Sequence, residues 1–378
     1  MSDLTARLRR EMDFDASHVH LNNAGVAPMF RPARLAIEGA ARLMTERGIF
    51  AIDPLLEQLG RDRATLAELV HCPPADLAMA QTCAAAISMV AFGLDLRSGD
   101  QIVRWDQEYP SNAYPWHAAA ARVGAHVRIV PSNPDWSVDT GRLIDAIGTR
   151  TRVVAVSWVQ FQTGAMTDLR AVADACRRHN AWLVVDAIQA LGVIPFDLAT
   201  SGVDAVCGGT HKWLCGPVGH GFLALQPGRA AELTPMLQGA FTYGSPNDPV
   251  DLQRSPHPDA RRFEPGSPTF LGAVGGAASA RLLLDAGIDH VLHEALTLAD
   301  RIADGMTVRG ARVLSSRSGA LRSPIVTFVP RQPVPQVESA LRQHHIAHAY
   351  RAGGIRISPH AFNDDSDVDR LFAALDGV

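Results

Sequence analysis

Asp186 and Lys212, 26 residues apart, are the side chains from which the chemistry of this sequence is best read. Asp186 closes an apolar run, Ala181 to Val185, and Gln189 follows three residues later. Lys212 follows Val206-Cys207-Gly208-Gly209 in the tripeptide Thr210-His211-Lys212. If the two runs are neighbouring strands, an amine and a carboxylate meet at one end of a sheet. An aldehyde cofactor with a pyridine ring needs that pair. The amine forms a Schiff base with the aldehyde, and the carboxylate keeps the ring nitrogen protonated so that the ring withdraws electrons from a carbanion. Alone, each residue carries little information, since an Asp ending a strand is commonly a turn residue and most lysines are solvated.

The elements that must position the pair are legible as changes of hydrophobic period. Residues 84–93, 112–124 and 167–180 read as helices. In the last, Thr167 is the expected cap, Leu169, Val172, Ala173 and Cys176 form one stripe, and Asn180 suits the stop. Short apolar runs at 101–105, 126–130, 152–158, 181–186, 203–207 and 221–225 read as buried strands. Strands alternating with helices imply an α/β fold, a mostly parallel sheet covered on both faces, with ligands at the carboxyl ends of its strands. Composition shifts at the turn-rich stretch Gly244–Pro249, which continues to Pro268. Beyond it, helices at 269–286 and 289–304, a strand Ile325 to Val329, a helix from Val334, a strand Ile355 to Ser358 and a helix from Asp365 read as a smaller α+β domain. The expected division is an N-terminal segment (1–19), a large domain (20–268), and an interdomain helix with the small domain (269–378).

With 378 residues, 47% hydrophobic and 20% charged, the chain has the composition of an ordinary globular protein with ample core. A net charge of −4 gives no electrostatic reason to expect nucleic acid or anionic membrane as a partner. No apolar run is long enough to span a bilayer, and the charged start MSDLTARLRREMDF lacks the apolar stretch of a signal peptide. Five scattered cysteines without metal-type spacing suggest reduced thiols and a cytoplasmic location. The glycines at 272, 275 and 276 lack the spacing of a dinucleotide fingerprint, no GxxxxGK[ST] occurs, and His344, His345 and His348 have no carboxylate or cysteine arranged around them.

Four separated pieces occur in one order: Glu108 to Trp116 (EYPSNAYPW), Val185 to Gln189 (VDAIQ), Gly209 to Gly221 (GTHKWLCGPVGHG) and Arg262 to Phe270 (RFEPGSPTF). Together they resemble the class V aminotransferase group of fold-type I enzymes. That group includes cysteine desulfurases, selenocysteine lyases, kynureninases and isopenicillin-N-epimerase-like proteins. The resemblance runs from about His20 to Leu375. It implies pyridoxal 5′-phosphate (PLP) as cofactor, an amino acid as substrate, and a homodimer whose subunits share each active site.

The resemblance also assigns roles. Lys212 is the Schiff-base lysine and Asp186 the partner of the ring nitrogen. Gln189 is suited to donate its amide to the ring hydroxyl oxygen. Thr82, Cys83 and Ala84 occupy the phosphate-loop position before an apolar helix, where backbone N–H groups bind the anion; relatives often have hydroxyl residues at the positions of Cys83 and Ala84. His211 is a second phosphate candidate. Ser267 matches a residue that reaches the phosphate of the neighbouring subunit, its alternative being an ordinary turn serine. Tyr109 lies where an aromatic or His stacks on the pyridine face. Arg356 matches an arginine that grips a substrate carboxylate, although alternation with Ile355 and Ile357 equally describes a solvated face. Asn23 lies in the substrate-side N-terminal loop.

One departure matters. Cysteine desulfurases carry a nucleophilic cysteine shortly before the arginine strand, and here Ala347 to Gly353 contains none. Persulfide chemistry by that route is therefore not expected. What remains is chemistry at Cα, with transamination as the first expectation and β-elimination or epimerisation as alternatives served by the same residues.

Overall fold

A computed structural model describes residues 2–13, 15–243, 252–317 and 319–378. The stretch expected to be turn-rich at Gly244–Pro249 lies outside the described residues.

Seven strands form the larger sheet: β1 (Leu77–Ala80), β2 (Gln101–Trp105), β3 (His126–Val130), β4 (Thr151–Ser157), β5 (Trp182–Asp186), β6 (Ala205–Gly209) and β7 (Gly221–Leu225). Their order is β1-β7-β6-β5-β4-β2-β3. All neighbouring pairs are parallel except those of β7, which runs antiparallel to both β1 and β6. Helices cover both faces, so the central strands read as unbroken apolar runs; every residue of β5 is buried. The fold is the expected α/β architecture.

The outer edge at β1 is closed by side chains. Arg63 and Glu264 form a salt bridge, with Arg63 Nη1 donating to the Leu77 carbonyl at 2.8 Å. A Glu264 oxygen accepts the Met79 N–H at 2.7 Å.

One cap differs from expectation. The helix read at 167–180 spans Leu169–Arg178 and is capped by Asp168, whose carboxylate accepts from the Ala171 N–H at 3.1 Å. Thr167 is buried instead, accepting from the Trp105 indole at 3.1 Å and donating to the Ser157 carbonyl at 3.2 Å. Asn180 does follow the helix end in the left-handed region, at φ 52°.

A second sheet holds four short antiparallel strands in the order Ala349–Arg351, Gly354–Ile357, Val326–Val329 and Arg312–Val313. Helices Ile288–Val308, Val334–Gln343 and Asp365–Asp376 bury their apolar stripes against it, forming a core of its own with Phe328, Ile355 and Leu371. The helix Phe270–Ala286 packs instead on Arg31–Arg47 and Ile52–Leu69, beside the larger sheet. The N-terminus is tied to the smaller sheet's helices and strands: Arg9 donates to Asp367 at 2.7 Å, and Val19–His20 pairs in parallel with Ile346–Ala347.

Candidate active site

Asp186 and Lys212 meet because β5 and β6 are parallel neighbours whose carboxyl ends coincide. Asp186 lies opposite Cys207, and the chain leaves β6 at Gly209 into a tight turn carrying the lysine. Backbone bonds fix that turn: Cys215 N–H to the Lys212 carbonyl at 2.9 Å and Gly216 N–H to the Thr210 carbonyl at 2.8 Å. The Thr210 hydroxyl also donates to the Pro217 carbonyl at 2.7 Å. Both residues line a cavity of about 430 Å³, together with Thr82, Cys83, Ala84, Tyr109, Gln189, His211 and Arg356. Nine of the eleven residues expected at the site are thus brought together.

The electrostatics explain why this pair is unusual. Burial pushes the Asp186 carboxyl up, against the opposing effect of the Ile188 N–H (3.0 Å) and the charge of Lys212. No cation stands within 4 Å of it among the described residues, so its charge lacks a close partner. Burial lowers the Lys212 amine to about 8, a shift opposed by Asp186 and reinforced by Arg356. The amine makes no hydrogen bond among the described residues; the Tyr109 ring centroid lies 5.7 Å from Nζ.

The helix Cys83–Gly93 brings its N-terminus to the same cavity. Thr82 caps it, accepting the Ala85 N–H at 3.0 Å, while the N–H groups of Cys83 and Ala84 start the helix without intrahelical acceptors. A Cβ on Gly221 would come within 2.8 Å of the Thr82 backbone, so only glycine lets β7 approach the helix start this closely. Cys83 donates its thiol to Asp186 Oδ1 at 3.4 Å, and burial raises that thiol well above its ordinary value. His211 is lowered to about 4 by burial and by Lys212, and is neutral at pH 7.

Gln189 is held rigidly. Its oxygen accepts from the Trp213 indole at 2.9 Å and its nitrogen donates one hydrogen to the Ala24 carbonyl at 3.0 Å, leaving a second. Tyr109 is 43% exposed and meets Phe161 edge-on at 5.1 Å. Arg356 is 1% exposed, so the solvated-face alternative fails. It donates to the Phe161 carbonyl at 2.8 Å and to Asn22 Oδ1 at 3.0 Å, and its Nε is buried without a partner.

Two expected residues lie elsewhere. Asn23 does not line the cavity; its side chain is buried and donates to the Ser358 carbonyl at 2.9 Å. The neighbouring Asn22 is the one that meets Arg356. Ser267 is exposed and also outside the cavity lining. Sequence reasoning missed Asn22, Phe161 and Arg351. Phe161 contributes its carbonyl to Arg356 and its ring to Tyr109 and Arg351, whereas Arg351 shares a face with Arg356 only because the hairpin pairs it with Gly354. Cys215 is buried and is not part of the lining, a packing residue.

The family model described as Aminotransferase class-V matches residues 55–371. The chain belongs to this family. Class V aminotransferases are PLP-dependent enzymes of amino-acid chemistry, and so is this one. An isopenicillin N epimerase of Streptomyces clavuligerus is 30% identical over 98% of this chain and 97% of its own length. A probable cysteine desulfurase of Methanothermobacter thermautotrophicus is 28% identical, covering 79% of this chain and 74% of its own. Among solved structures, the apo cysteine desulfurase of Thermococcus onnurineus NA1 superposes with a TM-score of 0.91 at 20% identity, covering 100% of this chain and 98% of its own. The cystine C–S lyase C-DES, bound to its product cysteine persulfide, gives 0.88 at 24%, covering 95% and 97%. Both share the fold-type I architecture.

The cavity of this class V member suits PLP on its own chemistry. A buried carboxylate without a close cation, an amine without a hydrogen bond and a helix start with open N–H groups are what a pyridinium, an aldehyde and a phosphate respectively require. Among the described residues, no single helix is long and apolar enough to cross a membrane.

Proposed function

We propose that the enzyme transaminates an α-amino acid, with Lys212 as both the covalent attachment point and the base. PLP, when bound, supplies an aldehyde that captures amines and a ring that draws electrons from the substrate's Cα. Asp186 is read as the group that keeps the ring nitrogen protonated, and the second hydrogen of Gln189 as a donor to the ring hydroxyl. The Cys83 and Ala84 N–H groups and neutral His211 are read as phosphate donors, Tyr109 as the ring that covers the pyridine face, and Arg356 as the fork for the substrate α-carboxylate.

The observation that carries this reading is the single unpaired amine in the cavity. Lys212, lowered to about 8, holds a far larger free-base fraction at neutral pH than an ordinary lysine, about a tenth at pH 7, and in that form can take the Cα proton. Delivering that proton to the cofactor's aldehyde carbon on the same face, followed by hydrolysis that releases the keto acid and leaves the amino group on the cofactor, would complete the half-reaction. Epimerisation by two bases needs a second acceptor on the opposite face. Of the other lining side chains, Cys83 is a protonated thiol, His211 adjoins Lys212 itself, and the phenol of Tyr109, read as covering the pyridine face, is the remaining group that could serve. A persulfide route lacks a thiolate, since Cys83 is the one cysteine of the lining and holds its proton.

Epimerisation stands as the second reading because the relative that matches this chain over nearly its full length bears that name. Incubating holoenzyme with amino acids and measuring keto acid, ammonia and inversion separately distinguishes the three reactions. Inversion without keto acid refutes transamination. For the attachment point, borohydride should add cofactor mass at Lys212 in the parent and nowhere in Lys212→Ala; a trapped adduct in the variant refutes the assignment.

We further read the protein as a cytoplasmic homodimer with the division at 268/269 described above. Five free cysteines, four of them buried, support a reducing compartment. The exposed Ser267, away from its own chain's cavity, is compatible with a contact in trans.

A further inference from the structure

The cavity holds more positive charge than the proposed chemistry uses. Arg351 and Arg356 both line it, and their convergence follows from strand register. Ala349 lies opposite Arg356, and Arg351 opposite Gly354. Opposed residues, and residues two apart along a strand, share a face of the sheet. That face therefore carries two arginines, one alanine and one glycine, and the small pair leaves room for the large one. The hairpin turn is two residues long, Ala352 and Gly353, both at positive φ (50° and 75°), which favours tight strand pairing up to Arg351. Gln162 holds the Ala352 N–H at 3.1 Å. Phe161 serves both arginines: its carbonyl accepts from Arg356, and its ring centroid lies 5.7 Å from the Arg351 guanidinium carbon.

Neither guanidinium has a carboxylate within 4 Å among the described residues, and the Nε atoms of both are buried without a partner. A buried donor with no acceptor is costly unless a ligand supplies one. Arg356 alone suffices for an α-carboxylate. Arg351 is a second, unmatched cation on the same face.

We propose that Arg351 is a specificity residue that pairs with a carboxylate on the substrate side chain, so that the enzyme takes dicarboxylic α-amino acids. This rests on the reading of Arg356 as the α-carboxylate fork. Two guanidiniums on one face of a hairpin select for two anionic groups, and a substrate with an apolar side chain would leave Arg351 unpaired. A planar fork suits a carboxylate better than a point charge does.

The test uses glutarate and butyrate, which carry two and one carboxylates and no amine, with binding to the holoenzyme measured calorimetrically. The parent should prefer glutarate by about 10- to 150-fold, the range of one charge-assisted contact. In Arg351→Met that ratio should fall close to one, and in Arg351→Lys it should be intermediate. A parent without preference, or an Arg351→Met variant that keeps it, overturns the proposal. So does loss of bound cofactor from Arg351→Met with an unchanged ratio in the remaining holo fraction, which assigns Arg351 to the phosphate. If Arg351→Met does not fold, the parent ratio and Arg351→Lys decide. Because neither probe reacts, failure here is distinct from failure of the transamination reading, which is decided by keto acid and by trapping at Lys212.

Discussion

Replacing Arg356 by Met should weaken binding of amino-acid substrates without displacing the cofactor. A guanidinium has five N–H groups. Two of Arg356's are engaged, by the Phe161 carbonyl at 2.8 Å and Asn22 Oδ1 at 3.0 Å. Three remain, including the buried Nε, enough for a two-pronged grip on a carboxylate. Hydrogen bonds to a charged group contribute about 1.5–3 kcal/mol, so losing the grip should raise the apparent Kd roughly 10- to 150-fold. A second readout separates this role from a merely structural one. Arg356 helps hold the free Lys212 amine down at about 8, so its removal should move the pH dependence of PLP capture by apo-protein upward. The assays are a visible-absorbance titration of the holoenzyme with amino acids and, for the Lys212 titration, PLP capture by apo-protein across pH, with Arg356→Lys as the control that keeps charge but loses the fork. Unchanged affinity together with an unmoved Lys212 titration would return Arg356 to a purely architectural role.

Three further outcomes are expected. Asp186→Asn should retain bound cofactor, because the amide oxygen can still accept from Ile188, yet lose about 10²- to 10³-fold in turnover, as when one charge-stabilising group is removed; near-parental turnover moves the ring-nitrogen partner elsewhere. Capture of PLP by apo-protein, followed by absorbance, should slow as pH falls below about 8, since a lowered amine pKa leaves the free base dominant only above that value; a pH-independent rate between 6 and 9 contradicts the titration of Lys212. The protein should sediment as a dimer, more tightly with PLP than without, and Ser267→Ala should reduce that linkage; an active monomeric holoenzyme at micromolar concentration removes Ser267 from the cofactor's ligands.

The sequence carried the site's centre because the centre depends on strand ends. Asp186 and Lys212 each follow an apolar run, and parallel neighbours bring such ends together whatever the loops do. The periphery was less legible for specific reasons. Asn22 and Asn23 are adjacent and identical in type, and only the bridge from Asn22 to Ser358 decides which one faces the arginine. At Thr167-Asp168 two adjacent residues are both able to cap a helix, and burial of Thr167 leaves that role to Asp168. The strand Leu77–Ala80 is short, buried throughout and without β-branched residues, so it has neither period nor propensity to announce it. Arg351 and Arg356 are an odd number of residues apart, so only the two-residue turn between their strands, invisible to periodicity, brings them to one face.

The Arg63–Glu264 pair behaves as a surrogate strand. A sheet edge offers open N–H and C=O groups to any passing chain, and natural proteins blunt that hazard. At the opposite edge, β3 does so with exposed, polar residues such as His126 and Arg128. At β1, the guanidinium covers the Leu77 carbonyl and the carboxylate covers the Met79 N–H, one donor and one acceptor in the order a neighbouring backbone would present them. Glu264 also belongs to the segment that leads to Ser267. Closing the edge therefore anchors that segment, and a chain lacking either charge would expose a sticky border beside the surface it is proposed to share with its partner.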